Sequence, residues 1–233
     1  MSERRHRDRL AIAWRAAQDI PFGVYANLGI GIASEVARYV PDCAGVMFHS
    51  ENGILGVRPH AQEASVNRNL VNASQQFVTV IPGGAFFDCC ESFAMLRGGH
   101  VALALIGAYE VAENGDLASW DRGEQGVPPA VGGAMDIVAG VPQIWVLMEH
   151  LTKNDRPRLV HRTTLPLTGV GVVDRVYTDR AVIDITPEGG VVTELHPDLS
   201  FTDLQRMTEW SLTLSAHCAP LRSPGWTPKD DQW

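Results

Sequence analysis

The residues best suited to chemistry stand together in the run His49-Ser-Glu-Asn-Gly-Ile-Leu-Gly56. A short apolar stretch, Gly45 to Phe48, reads as a buried strand. It breaks off in Ser50, Glu51, Asn52 and Gly53, a cluster of turn formers. In an open α/β sheet, ligands bind in the crevice beyond the carboxyl ends of the strands. A carboxylate at such a strand end is therefore placed to do chemistry. Beside it stand an amide and a glycine that lets the backbone come close to a ligand. The plain alternative is that Glu51 opens a solvated turn, as most glutamates do.

The elements that must position Glu51 lie on either side of it. Leu10, Trp14 and Ala17 recur at helical spacing between arginines, which predicts an amphipathic helix over residues 3–19, stopped by Pro21-Phe22-Gly23. Val24 to Asn27 reads as a strand running into Gly29-Ile30-Gly31. A helix from near Ser34 carries Val36, Ala37 and Val40, and Pro41-Asp42 ends it. Strand, glycine turn, helix and strand make a βαβ unit, which favours parallel pairing and a right-handed crossover. Gly29-x-Gly31-x-x-Ser34 also approaches a dinucleotide fingerprint, with Glu51 where a ribose-binding acid would stand, but the third glycine is missing.

Further along, residues 57–75 are polar and aperiodic and are expected to form a mobile loop. Phe77 to Ile81 reads as a strand ended by Pro82-Gly83-Gly84. Asp88 can cap a helix through Arg97, with Gly98-Gly99 as its stop. Val101 to Ala108 is almost wholly apolar, the pattern of a strand buried on both faces. Glu113 to Gly126 reads as a second polar loop, Ala134 to Val138 as a short helix after Gly132-Gly133, and Gln143 to Met148 as another central strand. Ala181 to Thr186 and Val191 to His196 flank Pro187-Glu-Gly-Gly190 as a hairpin. Ser200-x-x-Asp203 has capping-box spacing ahead of a helix running to about Trp210. The expected fold is a single α/β domain over residues 1–212, with an open, mostly parallel sheet flanked by helices. Residues 213–233 are expected to be an irregular tail.

Composition narrows the classes. The 233 residues are 45% hydrophobic and 20% charged, the profile of a soluble globular protein long enough to bury a substantial core. A formal net charge of −8 argues against a nucleic-acid binder. Cys43, Cys89, Cys90 and Cys218 show no C-x-x-C pair, so they read as reduced, mostly buried thiols of a cytoplasmic protein. The histidines lack H-x-x-x-H or H-E-x-x-H spacing, and no metal is expected. Ser50 lacks a G-x-S-x-G elbow, which counts against a serine hydrolase. The N-terminus has no apolar signal region, and no stretch is long and apolar enough to span a membrane. His49 and Glu149-His150 read first as structural residues around the crevice. Arg97 reads first as a helix cap, though a cation there could meet an acidic substrate.

Several separated stretches, taken in order, carry a family resemblance. They are Asn27-Leu-Gly-Ile-Gly31, Ser50-Glu-Asn-Gly53, Ser92-Phe-Ala-Met-Leu-Arg-Gly-Gly-His100, Gly115-Asp-Leu-Ala118, Gly132-Gly-Ala-Met-Asp136, Glu149-His150 and Thr164-Leu-Pro-Leu-Thr-Gly169. From Ile12 to Leu212 the chain resembles the catalytic-glutamate half, the B subunit, of the family I CoA-transferases acting on 3-oxoacids and 3-oxoadipate. The stretch Gly126 to Asp136 looks more like the 3-oxoadipate branch.

The resemblance implies a CoA-transferase fold and covalent catalysis by Glu51. The carboxylate attacks an acyl-CoA thioester, CoA thiolate leaves, and a mixed anhydride forms. The thiolate then attacks the glutamyl carbonyl, giving a glutamyl-CoA thioester and a free acid, and a second carboxylic acid runs the steps backwards. No permanent cofactor is implied; the coenzyme A thioester is a substrate. Asn27 matches a CoA-contacting amide and Gly133 an oxyanion and CoA contact, with Gly29 and Gly31 in the same binding turn as Asn27. The G-G-F-G motif of the family's A subunit is absent, which implies that a separate A subunit completes a hetero-oligomer. Two positions depart from the pattern: Gln75 stands where many relatives carry Lys, and Ser119 where Asn is common. A hydrolase on the same scaffold and a non-catalytic module binding a nucleotide or CoA ester remain the alternatives.

Overall fold

The computed structural model describes residues 3–59, 67–124 and 126–225. Its centre is a parallel sheet of β2 (Met47–Ser50), β1 (Tyr25–Leu28), β5 (Leu103–Ile106), β8 (Gln143–Leu147) and β10 (Arg175–Tyr177), side by side in that order. Antiparallel wings extend it. Beyond β2 lie β3 (Ile54–Pro59) and β4 (Val78–Phe86), and beyond β10 lie β11 (Ala181–Thr186) and β12 (Gly189–Leu195). An outer strand, β13 (Leu212–Pro220), joins β12 in parallel. A small second sheet orders β7 (Leu117–Ala118), β6 (Glu110–Ala112) and β9 (Leu159–Val160).

Both faces of the central sheet are covered, and the period-2 alternation of a strand divides its side chains between them. Leu103 and Leu105 of β5 join one core with Ile12, Ala13 and Ala16 of α1 (Glu3–Ala17) and with Ile32 of α2 (Ile32–Glu35). Ala104 and Ile106 join the other core with Leu96 of α3 (Cys89–Arg97), Ile137 and Val138 of α4 (Ala134–Gly140) and Leu204 of α5 (Phe201–Arg206). Strands buried on both sides lose the polar alternation of a surface sheet, which is why Val101 to Ala108 read as one apolar run.

Local chemistry sets several boundaries. The Asp88 carboxylate accepts from the Glu91 N–H at 2.9 Å and starts α3. Ser200 and Asp203 form a capping box at α5. That helix ends at Arg206, short of Trp210, which is instead fully buried in the second core. The helix expected from Ser34 to Val40 is split: four α-helical residues, then a 3-10 turn at Val36–Arg38.

Four expectations are corrected. Val57 to Pro59, expected to open a mobile loop, finish β3. Residues 67–75 are pinned to the Ser50 turn by side-chain bonds, and residues 60–66 of that stretch lie outside the described residues. Pro82-Gly83-Gly84 does not end β4, which continues to Phe86. It is an edge strand, where a missing N–H and a register shift opposite Leu55 are tolerated. Residues 213–220, expected to be irregular, complete β13; residues 226–233 lie outside the described residues. Finally, Cys43, Cys89 and Cys90 are exposed, because the last two occupy the surface start of α3.

Candidate active site

Glu51 sits in a tight turn between β2 and β3, at the carboxyl edge of the parallel sheet. The Gly53 N–H closes the turn on the Ser50 carbonyl at 3.0 Å. Gly53 has φ +106°, and a β-carbon there would lie 2.1 Å from the Phe87 carbonyl oxygen, so no other residue fits. Polar side chains fix the turn from the other side. The Ser50 hydroxyl donates to Asn52 Oδ1 at 2.7 Å and accepts from the Ala73 N–H at 3.0 Å, while Asn52 Nδ2 donates to the Val71 carbonyl at 2.7 Å. The Ser-Glu-Asn-Gly run is thus a stitched loop with its carboxylate held in one place.

The Glu51 carboxylate is half-buried, and that burial pushes its pKa above the ordinary glutamate value. Its Oε2 approaches Gly133, the residue that opens α4. A β-carbon on Gly133 would stand 2.9 Å from that oxygen and 2.4 Å from the edge of the Phe93 ring. The fold therefore brings together Glu51 and Gly133, which stand far apart in sequence. Phe93, not singled out in the sequence, forms the third wall. Arg97 forms an ion pair of 2.9 Å with Asp136, tying α3 to α4 across this wall, so its charge is already matched.

Asn27 lies on β1, opposite His49 of β2 in the parallel register. Its Nδ2 is 3.0 Å from His49 Nδ1, and His49 Nε2 is 3.1 Å from the Ser92 hydroxyl of α3. All three residues are fully buried. The Phe87 ring stacks on the imidazole, and burial lowers the His49 pKa to about 4, so the ring is neutral. Ser92 was invisible as a site residue because a helical serine signals nothing by itself. Its place becomes evident only when α3 packs over β2.

Gly29 and Gly31 follow Asn27 at the carboxyl end of β1. The Gly29 N–H is used by the Leu105 carbonyl at 2.8 Å, and a β-carbon there would meet the same oxygen at 2.8 Å. Gly31 takes φ +90° and opens a helix of only four residues, with Ser34 Oγ bonded back to its carbonyl at 2.8 Å. The turn beside Asn27 is therefore a close packing of loop on strand, unlike a phosphate cradle of free N–H groups. Glu149 and His150 stand apart. Glu149 pairs with Arg5 at 2.8 Å, and His150 is buried between the hydroxyls of Thr178 and Thr208 at 3.2 and 3.0 Å. Among the described residues, no cluster of His, Cys, Asp or Glu is arranged to hold a metal, and no helix is long and apolar enough to cross a membrane.

Comparison with known proteins agrees with this arrangement. The family described as "Coenzyme A transferase" matches residues 9–204. The chain is 48% identical over 200 residues to the B subunit of the 3-oxoadipate CoA-transferase of Pseudomonas putida, covering 86% of this chain and 93% of that one. It is 41% identical over 201 residues to the B subunit of the succinyl-CoA:3-ketoacid coenzyme A transferase of Helicobacter pylori, covering 86% and 96%. Among solved structures, the apoenzyme of an acyl-CoA transferase from Escherichia coli O157:H7 superimposes with a TM-score of 0.73 at 18% identity, covering 91% of this chain and 43% of the neighbour; it attests the fold. With a match across most of its length and a glutamate turn facing a glycine at the crevice, the chain belongs to the coenzyme A transferase family.

Proposed function

We propose that this protein is the catalytic-glutamate half of a 3-oxoacid CoA-transferase, with Glu51 as the nucleophile. The observation that carries this reading is the contact between a half-buried carboxylate and Gly133, in a turn locked on both sides. A carboxylate whose charged form is disfavoured by burial is more basic than one in water, and a better nucleophile toward a thioester carbonyl. Each addition step develops a negative oxygen that needs N–H donors held ready, a contribution of about 2.7–4 kcal/mol per donor. Asn27 and the backbone at Gly133 are the donors we assign.

Glu51 first takes the acyl group, releasing CoA thiolate. It then takes CoA as a thioester, releasing the first acid. A second carboxylate attacks in the reverse order, so the thioester's energy is kept and no ATP is consumed. Fixing the reacting groups against one another is worth roughly 7–11 kcal/mol of barrier.

The relatives' names and the Gly126 to Asp136 stretch support succinyl-CoA as the donor and 3-oxoadipate as the acceptor. Both relatives are named as one half of a two-chain enzyme, which supports a separate A subunit that completes the site. The test uses the purified complex of this chain with its A subunit. Succinyl-CoA is added, borohydride traps the glutamyl-CoA thioester, and peptide mapping locates the reduced residue. The expected label falls on Glu51, and Glu51→Gln loses both label and transfer. A label elsewhere, or turnover in the variant, rejects the assignment. Acid release without any acceptor identifies a hydrolase instead.

A further inference from the structure

Behind Glu51 runs a hydrogen-bonded chain that the transfer steps above do not use: Asn27, His49 and Ser92, all fully buried. One end of the Asn27 amide is engaged by His49 Nδ1. The other end is buried with no hydrogen-bond partner. A polar atom orphaned in the interior is costly, and such atoms in native proteins mark places where something else is bound.

A neutral imidazole has one N–H and one bare nitrogen, so the chain can run in two directions. In the first, the Asn27 NH2 donates to Nδ1 and Nε2–H donates to Ser92, leaving the amide oxygen orphaned. In the second, the amide is turned by half a rotation. Nδ1–H donates to the amide oxygen, the Ser92 hydroxyl donates to Nε2, and the NH2 becomes the free end. The second direction satisfies the acceptor and presents a donor, which is what a negative acyl oxygen requires. Phe87, stacked at 5.8 Å and 15°, keeps the ring from swinging away.

We propose that His49 and Ser92 are positioning residues that hold the Asn27 amide with its NH2 turned toward the bound acyl-CoA, through the Nδ1–H tautomer of His49. A buried polar chain of this kind specifies one orientation, a task that apolar packing at the same volume does not perform. The proposal rests on the transferase reading of Glu51, because Asn27 has a reacting oxygen to serve only if the transfer occurs.

Two measurements test it. In protein labelled with 15N-histidine, the His49 signals, identified by their loss in His49→Gln, report which ring nitrogen carries the proton. Protonated Nδ1 is expected, and protonated Nε2 overturns the proposal. In the complex with the A subunit, Asn27→Ala, Ser92→Ala and the double variant form a kinetic cycle. Asn27→Ala is expected to lower kcat about 100-fold and Ser92→Ala about tenfold with little change in KM, while the double variant is no slower than Asn27→Ala alone. Losses that multiply in the double variant mean that Ser92 does not act through Asn27, and the proposal falls. If the wild-type complex fails to transfer CoA, the Glu51 reading is rejected on that result alone, and the tautomer measurement still decides this one. It also decides if Ser92→Ala fails to assemble.

Discussion

Glu51 Oε2 lies 2.9 Å from the point where a β-carbon on Gly133 would stand. The glycine backbone there has φ −95° and ψ 4°, which any residue can adopt, so it is space and not conformation that this position requires. Gly133→Ala should therefore keep the fold while forcing the Phe93 ring or the carboxylate aside. We expect kcat to fall by about 100-fold or more, with a stability loss of roughly 1–3 kcal/mol from overpacking. Single-turnover acyl transfer and urea unfolding would measure the two effects separately. A variant with normal turnover would show that the contact has no part in catalysis.

Burial raises the Glu51 pKa above its unfolded value, so the folded chain holds that proton more tightly than the unfolded one. Ionising Glu51 therefore costs stability at neutral pH. Glu51→Gln should unfold at a higher temperature than the wild type at pH 7. The gap should close as the pH falls into the ordinary glutamate range, where the wild-type carboxyl is protonated in both states. Melting curves from pH 4 to 8 provide the check, and a less stable variant at pH 7 would contradict it.

His49 and His150 are both pushed down to about 4 by burial, below the 6.5 of an exposed histidine. As the pH falls below about 6.5, the unfolded chain takes up these protons first. The stabilisation is complete above that pH and is lost progressively down to about 4. Each histidine contributes on the order of 3 kcal/mol to this acid loss. Urea titrations between pH 4 and 7 should show a slope approaching two protons, and His150→Gln should remove about half of it.

The Arg15 guanidinium grips the Glu194 carboxylate with two bonds of 2.7 Å, and both groups are buried. Asp19 accepts an ion pair from the same guanidinium at 2.7 Å. Removing one partner leaves a charge in the interior, so Arg15→Met should cost about 3–5 kcal/mol. Replacing the pair with Arg15→Met and Glu194→Leu together should cost less than Arg15→Met alone. Chemical denaturation of the two variants distinguishes this from simple additivity.

What the sequence showed of the fold depended on how local the cause was. Asp88 and Ser200 could be read as caps because each bonds a backbone N–H three residues on. The β11–β12 hairpin could be read because its turn residues are adjacent. The outer strands β4 and β13 could not. An edge strand half open to solvent has no apolar alternation to detect, and Pro82-Gly83-Gly84 inside β4 mimics a stop. The same contrast holds at the candidate site. Glu51 stood out because a strand, a carboxylate and a glycine are contiguous. Phe93, Phe87 and Ser92 reach the site only through packing between elements, which no short window of sequence contains.

The grip of Arg15 on Glu194 spans 179 positions of the chain. During synthesis the first helix emerges long before the strand that neutralises its buried cation. Until β12 has left the ribosome, α1 has no way to settle its charge against the sheet. Docking of the earliest segment thus waits for one of the last, and the nucleophile's turn acquires its final surroundings only when translation is nearly complete.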